Sequence, residues 1–213
     1  MRDAIKHLRR TELIEATIRV IGRRGFSRTT LAHVAAEAKL SPGIVSFYFS
    51  SKEGLLHETL AHLAAEYEKT WTRSVRAVGD DPVAALDAMI EVDLGREVCV
   101  RGTVAVWVAF WAEMPGRPRY RVLCNELAER YFEQARRMCH EIARRGGYDD
   151  LDADTIARGL NAMIDGFWLD LMMDPKRFDR ARAKRACRQF LAGVFPAEFG
   201  PLAAGAASGR RTG

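Results

Sequence analysis

The sequence lacks any hydrophobic segment long enough to cross a membrane. Its longest apolar run, residues 103–112, is about half the length of a bilayer-spanning helix. The first seven residues carry charges of both signs and do not begin the apolar core of an export signal. We therefore expect a cytoplasmic protein that does not associate with a membrane.

Cysteine is scarce, and neither cysteine nor histidine is spaced as in a metal site. The four cysteines are scattered, which in a reducing cytoplasm is typical of buried free thiols. His140 and Glu141 resemble the start of a zinc-protease helix, but Arg144 stands where a second histidine would be needed. A glycine-rich phosphate loop and a Gly-x-Ser-x-Gly motif are also missing. The sequence therefore predicts a protein that is not an enzyme and needs neither a metal nor a cofactor.

The net charge is concentrated at one end of the chain. The first 50 residues contain nine Lys/Arg and four Asp/Glu, whereas the remaining residues contain 24 of each sign. The whole net charge of +5 thus lies in the first quarter. A basic end on a neutral body suits a protein that approaches a polyanion such as DNA with that end. Charge alone slightly favours the alternative, a solvated charged surface.

Strand-like alternation is missing, and helical periodicity is present almost everywhere. Apolar residues from Leu13 to Ile21 recur at three- and four-residue steps, and Gly25 ends that helix. We predict an all-α fold of about nine helices. The first four form before the break at Gly79, and five more are expected at residues 82–98, 102–114, 118–145, 152–173 and 176–194.

Two short helices joined by a tight turn are predicted within residues 29–49. Thr30 is a good N-cap for the first, and Ser41 followed by Pro42 is a favourable start for the second. This is the sequence pattern of a helix-turn-helix, whose second helix fits the major groove of DNA. Four apolar side chains are expected to form the core of this N-terminal head: Val34, Leu40, Ile44 and Phe49.

A longer pattern runs through residues 25–56, with Gly25-Phe26, Thr29-Thr30, Val34-Ala35, Tyr48-Phe49 and Ser51-Lys52-Glu53 in order. It resembles the DNA-binding domain of the tetracycline-repressor (TetR) family. The resemblance implies that Tyr48 and Lys52 contact phosphates, and therefore position the protein without specifying sequence. It implies DNA-facing positions at Thr30, Ser41, Gly43, Ser46, Phe47, Tyr48 and Lys52.

Two residues depart from this family's usual pattern. Lys39 occupies the turn position where the family usually has glycine, and a left-handed backbone there would cost a lysine about 1 kcal/mol. Its charge makes it a further candidate for DNA binding. Phe47 stands where relatives often carry a hydrogen-bonding side chain, and an aromatic ring can touch a thymine methyl or a sugar but cannot read a purine edge.

Tryptophan is concentrated in the second part of the chain. Trp107 and Trp111 share one helical face bordered by Phe110, and Trp168 follows Asp165 on another helix. Large aromatic residues in a helical bundle usually serve packing. Tryptophans beside an acid are also how proteins hold a quaternary ammonium group through cation–π attraction. Both interpretations stay open on the residues alone.

The segments Val106–Ala112 and Ile164–Leu169 resemble the matching helices of BetI-type regulators, the choline-sensing repressors of glycine betaine synthesis. The resemblance implies a transcriptional repressor that binds a palindromic operator and is released by choline or a related quaternary amine. It implies a choline pocket made from Trp107, Trp111 and Trp168, and we expect Phe110 and Asp165 to contribute to it. Glu113 and Asp170 are the other candidate acids. The alternative is a TetR-type repressor that responds to a different hydrophobic or cationic effector.

Gly159 and Gly166 lie in an apolar helix, where glycine is unfavourable unless helices approach closely. We expect a homodimer, because paired reading heads bind half-sites about 34 Å apart. The expected interface residues are Leu160, Met163, Gly166, Phe167, Phe190 and Val194, with a core within one chain as the alternative. The predicted division is a DNA-binding domain at 1–52, a ligand-binding and dimerisation domain at 53–199 and a disordered tail at 200–213.

Overall fold

The computed structural model describes the backbone of residues 2–200 and the side chains of residues 5–200. Every regular element in that part of the chain is a helix, which confirms the all-α prediction. The predicted tail lies, from residue 201 onward, outside the described residues. The helices are α1 Arg2–Arg24, α2 Leu31–Ala38, α3 Pro42–Tyr48, α4 Lys52–Ala77, α5 Pro82–Asp93, α6 Arg101–Glu113, α7 Pro118–Gly146, α8 Ala153–Met173, α9 Arg180–Val194 and α10 Pro196–Phe199, with a 3₁₀ turn at Met114–Gly116.

Two of the predicted helices are shorter than expected. Helix α5 ends at Asp93 instead of residue 98. Just after this end, at Gly95, the backbone lies so near the last turn of the helix that an added Cβ would be 2.5 Å from the Glu91 carbonyl oxygen. Helix α9 begins at Arg180 instead of residue 176, because the Asp179 carboxylate caps it by accepting from the Arg182 amide at 3.0 Å. The tenth helix, α10, is a single turn that the sequence reading missed.

The chain forms two compact units. The first contains residues up to 67 and residues 100–127, and the second contains residues 68–99 and those from 128 onward. Helices α4 and α7 each contribute to both. The boundary predicted at residue 52 concerns the division of function, and it stays a prediction.

In the first unit, helices α1–α3 enclose a small core that includes Leu13, Val34, Val45 and Phe49. Helix α6 packs against α1 so closely that a Cβ on Gly22 would lie 3.2 Å from the carbonyl oxygen of Gly102. The N-terminal head therefore also packs against α6, a contact that the sequence of the head does not predict.

In the second unit, α9 packs against α5, α8 and α10. The α5–α9 contact is polar at its edge, where Arg188 donates to both Asp87 carboxylate oxygens at 2.6 and 2.9 Å. Cys99, Cys139 and Cys187 are completely buried. All four cysteines are free and buried, as predicted, and burial raises the pKa of Cys139 to about 12.

Candidate functional site

The helix-turn-helix forms as predicted from α2 and α3. Thr30 caps α2, since its hydroxyl accepts from the His33 amide at 3.2 Å. Lys39 ends α2 with φ 57° and ψ 39°, the left-handed conformation expected of it. Its own amide and that of Leu40 bond back to the last carbonyls of α2, which directs the chain into α3.

Helix α3 has one buried and one exposed face. Val45 is completely buried in the core of the head, whereas the Phe47 side chain is 78% exposed. Ile44 is 37% exposed, so the expectation that it belongs to the core was wrong: Val45 occupies that position one residue later. Successive side chains of a helix point about 100° apart, so one of two neighbouring residues can lie in the core while the other faces solvent.

The predicted DNA-facing residues lie at the two caps of α2, in α3 and its N-cap, and at the start of α4. Six of them are exposed: Thr30, Lys39, Ser41, Gly43, Ser46 and Phe47. Tyr48 and Lys52 are half-buried, with Lys52 at the first position of α4. Their contacts with DNA stay predictions.

Arg10 fixes the far end of α3, a role that sequence reasoning missed. Its guanidinium donates to the Tyr48 carbonyl oxygen at 3.0 Å, forms an ion pair with Glu58 and lies 4.8 Å from the centre of the Phe49 ring. One side chain of α1 thus holds the end of α3 and the first turns of α4. A lone arginine in a basic segment gives no sequence signal for such a role.

Three predicted ligand residues lie on α6 in the first unit. The Trp107 and Trp111 rings are 6.4 Å apart, and the Tyr67 ring is 5.9 Å from that of Trp107. Phe110 packs differently: it is completely buried, with its ring 5.4 Å from the rings of both Phe26 and Tyr120. Its observed contacts are therefore those of a core residue.

The other two predicted ligand residues lie on α8 in the second unit. Asp165 is half-buried and accepts from the Asn161 amide at 3.2 Å, and burial raises its pKa to about 6. Trp168 is 3% exposed, and its indole Nε1 donates to the Asp93 carbonyl oxygen at 2.8 Å. A cage that joins Trp168 to Trp107 and Trp111 stays a prediction.

Asp93 is the centre of a buried group of aromatic residues within the second unit, which we call the Asp93 cluster: Asp93, Trp71, Tyr131 and Trp168. The Tyr131 hydroxyl donates to Asp93 Oδ2, and the Trp71 and Tyr131 rings meet edge to face at 5.8 Å. Asp93 is 0% exposed, and within the described residues the Trp71 Nε1 atom is buried with no hydrogen-bond partner. The cluster combines a carboxyl group with three aromatic rings and a spare donor.

Sequence reasoning missed Asp93, although a signal was present. Asp93 follows Leu86, Met89 and Ile90 at steps of seven, four and three residues, so it lies on the apolar face of α5. An acid on the buried face of a helix is rare unless it has a specific partner.

The predicted interface residues differ in exposure. Leu160 is only 2% exposed in a single chain, so it belongs to the core of the second unit and offers a partner almost no surface. Gly166 is exposed, with no atom within 4 Å of a Cβ added to it. The remaining predicted residues are half-buried: Met163, Phe167, Phe190 and Val194. Leu169 and Met173, further along α8, are 44% and 75% exposed.

Neither a metal site nor a membrane-spanning helix is found among the described residues. In that part of the chain no three His, Cys, Asp or Glu side chains are grouped so that they could hold a metal ion. None of the helices described is both long and apolar enough to cross a membrane.

A basic helix-turn-helix attached to a helical body defines a DNA-binding regulator of transcription. Residues 13–59 match the family described as "Bacterial regulatory proteins, tetR family", and residues 82–196 match "BetI-type transcriptional repressor, C-terminal". The chain therefore belongs to the BetI-type branch of the TetR family, which confirms the resemblance. It is a transcriptional repressor and not an enzyme.

Individual relatives agree with this assignment. The chain is 32% identical over 187 residues to a protein of Paraburkholderia xenovorans (strain LB400) described as "HTH-type transcriptional regulator BetI", which covers 88% of this chain and 93% of the relative. A protein of the same description from Paraburkholderia phymatum is 34% identical over the same shares.

Solved structures share the fold. A transcriptional regulator from Pseudomonas aeruginosa PAO1 superposes with a TM-score of 0.79 at 22% identity, over 91% of this chain and 93% of its own. A protein from Saccharomonospora viridis, described as a transcriptional regulator in complex with choline, superposes with a TM-score of 0.77 at 24% identity, over 87% of this chain and 96% of its own.

Proposed function

We propose that this repressor is released from its operator by choline or a close quaternary amine, and that it controls genes of glycine betaine synthesis in the cytoplasm. The observation that carries the proposal is the Asp93 cluster. The BetI-type relatives and the choline complex of the Saccharomonospora viridis protein support it by analogy.

The chemistry of the Asp93 cluster suits a quaternary ammonium ion. Such a cation cannot donate a conventional N–H hydrogen bond, so it is held by ring faces and by a charge of opposite sign. The cluster supplies the rings of Trp71, Tyr131 and Trp168 and the carboxyl group of Asp93. Cation–π attraction in a desolvated site contributes about 2 kcal/mol.

The hydroxyl group of choline also has a candidate partner. Trp71 Nε1 is a buried donor with no acceptor among the described residues. Leaving a buried donor unpaired costs about 1–3 kcal/mol, and an oxygen atom of the effector would remove this cost. This requirement favours choline over a simple tetraalkylammonium ion.

Release of the operator follows from the continuity of α4. This helix begins at Lys52, a predicted phosphate contact, and also carries Trp71 of the Asp93 cluster. A ligand that moves Trp71 therefore acts on the same helix that begins at Lys52. The effector needs to prefer the released conformation by only a few kcal/mol to shift the population.

The operator is bound, in this proposal, by a homodimer that reads a palindrome with one head per half-site. The exposed side of α8 around Gly166, Leu169 and Met173 is the surface that we assign to the partner subunit. Its apolar, glycine-containing character supports close helix packing between two copies of the chain.

The experiment that tests the effector compares Asp93→Asn with Asp165→Asn. Asparagine keeps the size of the side chain and removes its charge. We expect Asp93→Asn to lose operator release by choline, measured by fluorescence anisotropy of labelled operator, and Asp165→Asn to retain it. The control ligand is 3,3-dimethyl-1-butanol (dimethylbutanol), in which a carbon atom replaces the choline nitrogen. It should not release the operator from either variant.

Three outcomes would contradict the proposal. If dimethylbutanol releases the operator as well as choline does, the effector is not recognised as a cation. If Asp165→Asn alone loses the response, Asp165 is the charge partner and the Asp93 cluster is only packing. If both variants respond like the wild type, the repressor uses a different effector or a different site.

A further inference from the structure

The recognition helix α3 carries very few groups that can hydrogen-bond to a base. Its sequence, PGIVSFY, contains no amide, guanidinium, ammonium or carboxylate side chain. These are the groups that pair with guanine, adenine and cytosine edges in the major groove. Of its two hydroxyls, that of Ser46 donates to the Pro42 carbonyl oxygen at 3.3 Å, and Tyr48 is half-buried.

Two of the exposed side chains of α3 are large and apolar. Phe47 is 78% exposed and Ile44 is 37% exposed, and their three-residue spacing places them on the same helical face. A single exposed apolar residue would need no explanation, whereas two on one helical face do. Two on the face that points away from the core form a small apolar surface.

The orientation of this surface is fixed. Val45, between the two residues, is completely buried in the core of the head, so α3 cannot rotate about its axis without exposing it. The Phe47 ring is held edge to face against the Tyr48 ring, at 5.2 Å and 88°. The two apolar side chains are therefore presented in a defined direction.

We infer that Phe47 and Ile44 specify the operator by contact with the C5 methyl groups of thymine. This inference rests on operator binding through α3 and goes beyond it by naming the base and the chemical group that is read. The methyl group is the apolar feature that the major groove offers, and it is displayed by thymine alone among the four bases. Phosphate contacts, by comparison, carry no sequence information.

The experiment begins with selection of duplexes from a random-sequence library by the full-length protein. In the selected duplex, each thymine of the half-site is then replaced in turn by deoxyuridine, which lacks the C5 methyl group and pairs identically. We expect one or two positions at which uracil weakens binding about fourfold, the value of one methyl-sized apolar contact. Replacing the uracil–adenine pair by a 5-methylcytosine–guanine pair, which restores a methyl group at C5, should recover part of that loss.

The variants Phe47→Ala and Ile44→Ala connect the effect to the two side chains. For each variant, we expect the fourfold difference between thymine and uracil to disappear at the position that the truncated side chain contacts. The difference should persist at the other position. The matched control is Val122→Ala, which truncates an apolar side chain that is 54% exposed on α7. It should keep the full preference for thymine. Because Phe47 and Ile44 are exposed, both variants should fold, which an unchanged thermal midpoint would verify.

The outcomes separate this inference from the function on which it rests. If selection enriches no sequence, operator binding itself fails. If a sequence is enriched but uracil is tolerated at every position, thymine methyl recognition is wrong while operator binding stands. If the uracil penalty survives in both alanine variants, the methyl groups are read by other residues and the assignment of Phe47 and Ile44 is overturned.

Discussion

Lys39 adopts a backbone conformation that favours glycine. Its φ of 57° is the one positive value at a non-glycine residue within the described part of the chain. Since Cβ crowds the backbone in this region, Lys39→Gly should raise the free energy of unfolding by about 1 kcal/mol. Urea denaturation measures this change. Loss of one phosphate contact should also reduce the slope of log affinity against log salt by about one.

Lys39→Ala is the control that separates strain from charge. Alanine removes the ammonium group but keeps Cβ, so it should lower the salt slope equally without the gain in stability. An equal gain in the free energy of unfolding from both substitutions would show that the lysine side chain, and not its backbone conformation, destabilises the fold.

Asp165 makes stability depend on pH. Burial raises its pKa from 3.8 to about 6, so the folded protein holds this proton more tightly than the unfolded chain does. The carboxyl group therefore stabilises the fold at low pH, and its contribution is lost as the pH rises from about 4 to about 6. Asp165→Asn should be more stable than the wild type at pH 7 by about 1–2 kcal/mol, less than the full shift implies because the side chain is only half-buried.

Unfolding in urea at pH 4.5 and at pH 7 measures this effect. The difference between wild type and Asp165→Asn should be small at the lower pH and larger at the higher one. A constant difference across this range would mean that Asp165 titrates normally in the folded protein.

At the scale of elements, α8 contains two glycines with different surroundings. A Cβ on Gly159 would lie 3.2 Å from Phe190 Cζ, so this glycine permits the contact between α8 and α9 within one chain. Gly166 has open space instead. We expect Gly166→Leu to fold as a protomer but to sediment as a monomer at micromolar concentration, because the new side chain occupies the surface assigned to the partner subunit.

Gly166→Ala is the matched variant for this test. It adds only a methyl group, and it should stabilise the protomer by about 1 kcal/mol through helix propensity. If Gly166→Leu remains a dimer and is stabilised like Gly166→Ala, this side of α8 faces solvent and the dimer uses another surface.

At the scale of the whole molecule, effector and operator binding must be linked reciprocally. If choline weakens operator affinity by a given factor, the operator must weaken choline affinity by the same factor. Choline titrations followed by tryptophan fluorescence, with and without saturating operator, measure the second factor. Anisotropy titrations of the operator, with and without choline, measure the first. Unequal factors would show that choline acts at more than one site or changes the oligomeric state.

The order of the elements could be predicted from the sequence, since it depends on local chemistry. Helix caps at Thr30 and Asp179 and the left-handed turn at Lys39 depend on a few neighbouring residues. Helix periodicity likewise needs only residues within one or two turns. These signals correctly gave an all-α protein and the helix-turn-helix, and the resemblance of residues 25–56 gave the family. The start of α9 and the end of α5 were placed several residues away.

Only the tertiary structure decided which side chains meet. The contacts of Asp93 with Tyr131 and Trp168 join residues 38 and 75 positions apart, and no local pattern encodes such a distance. The same applies to Arg10 at the end of α3, to Phe110 beside Phe26 and to the burial of Leu160 within one chain. Burial of a helix face depends on every element that packs against it, so a sequence defines the candidates for a site and packing selects among them.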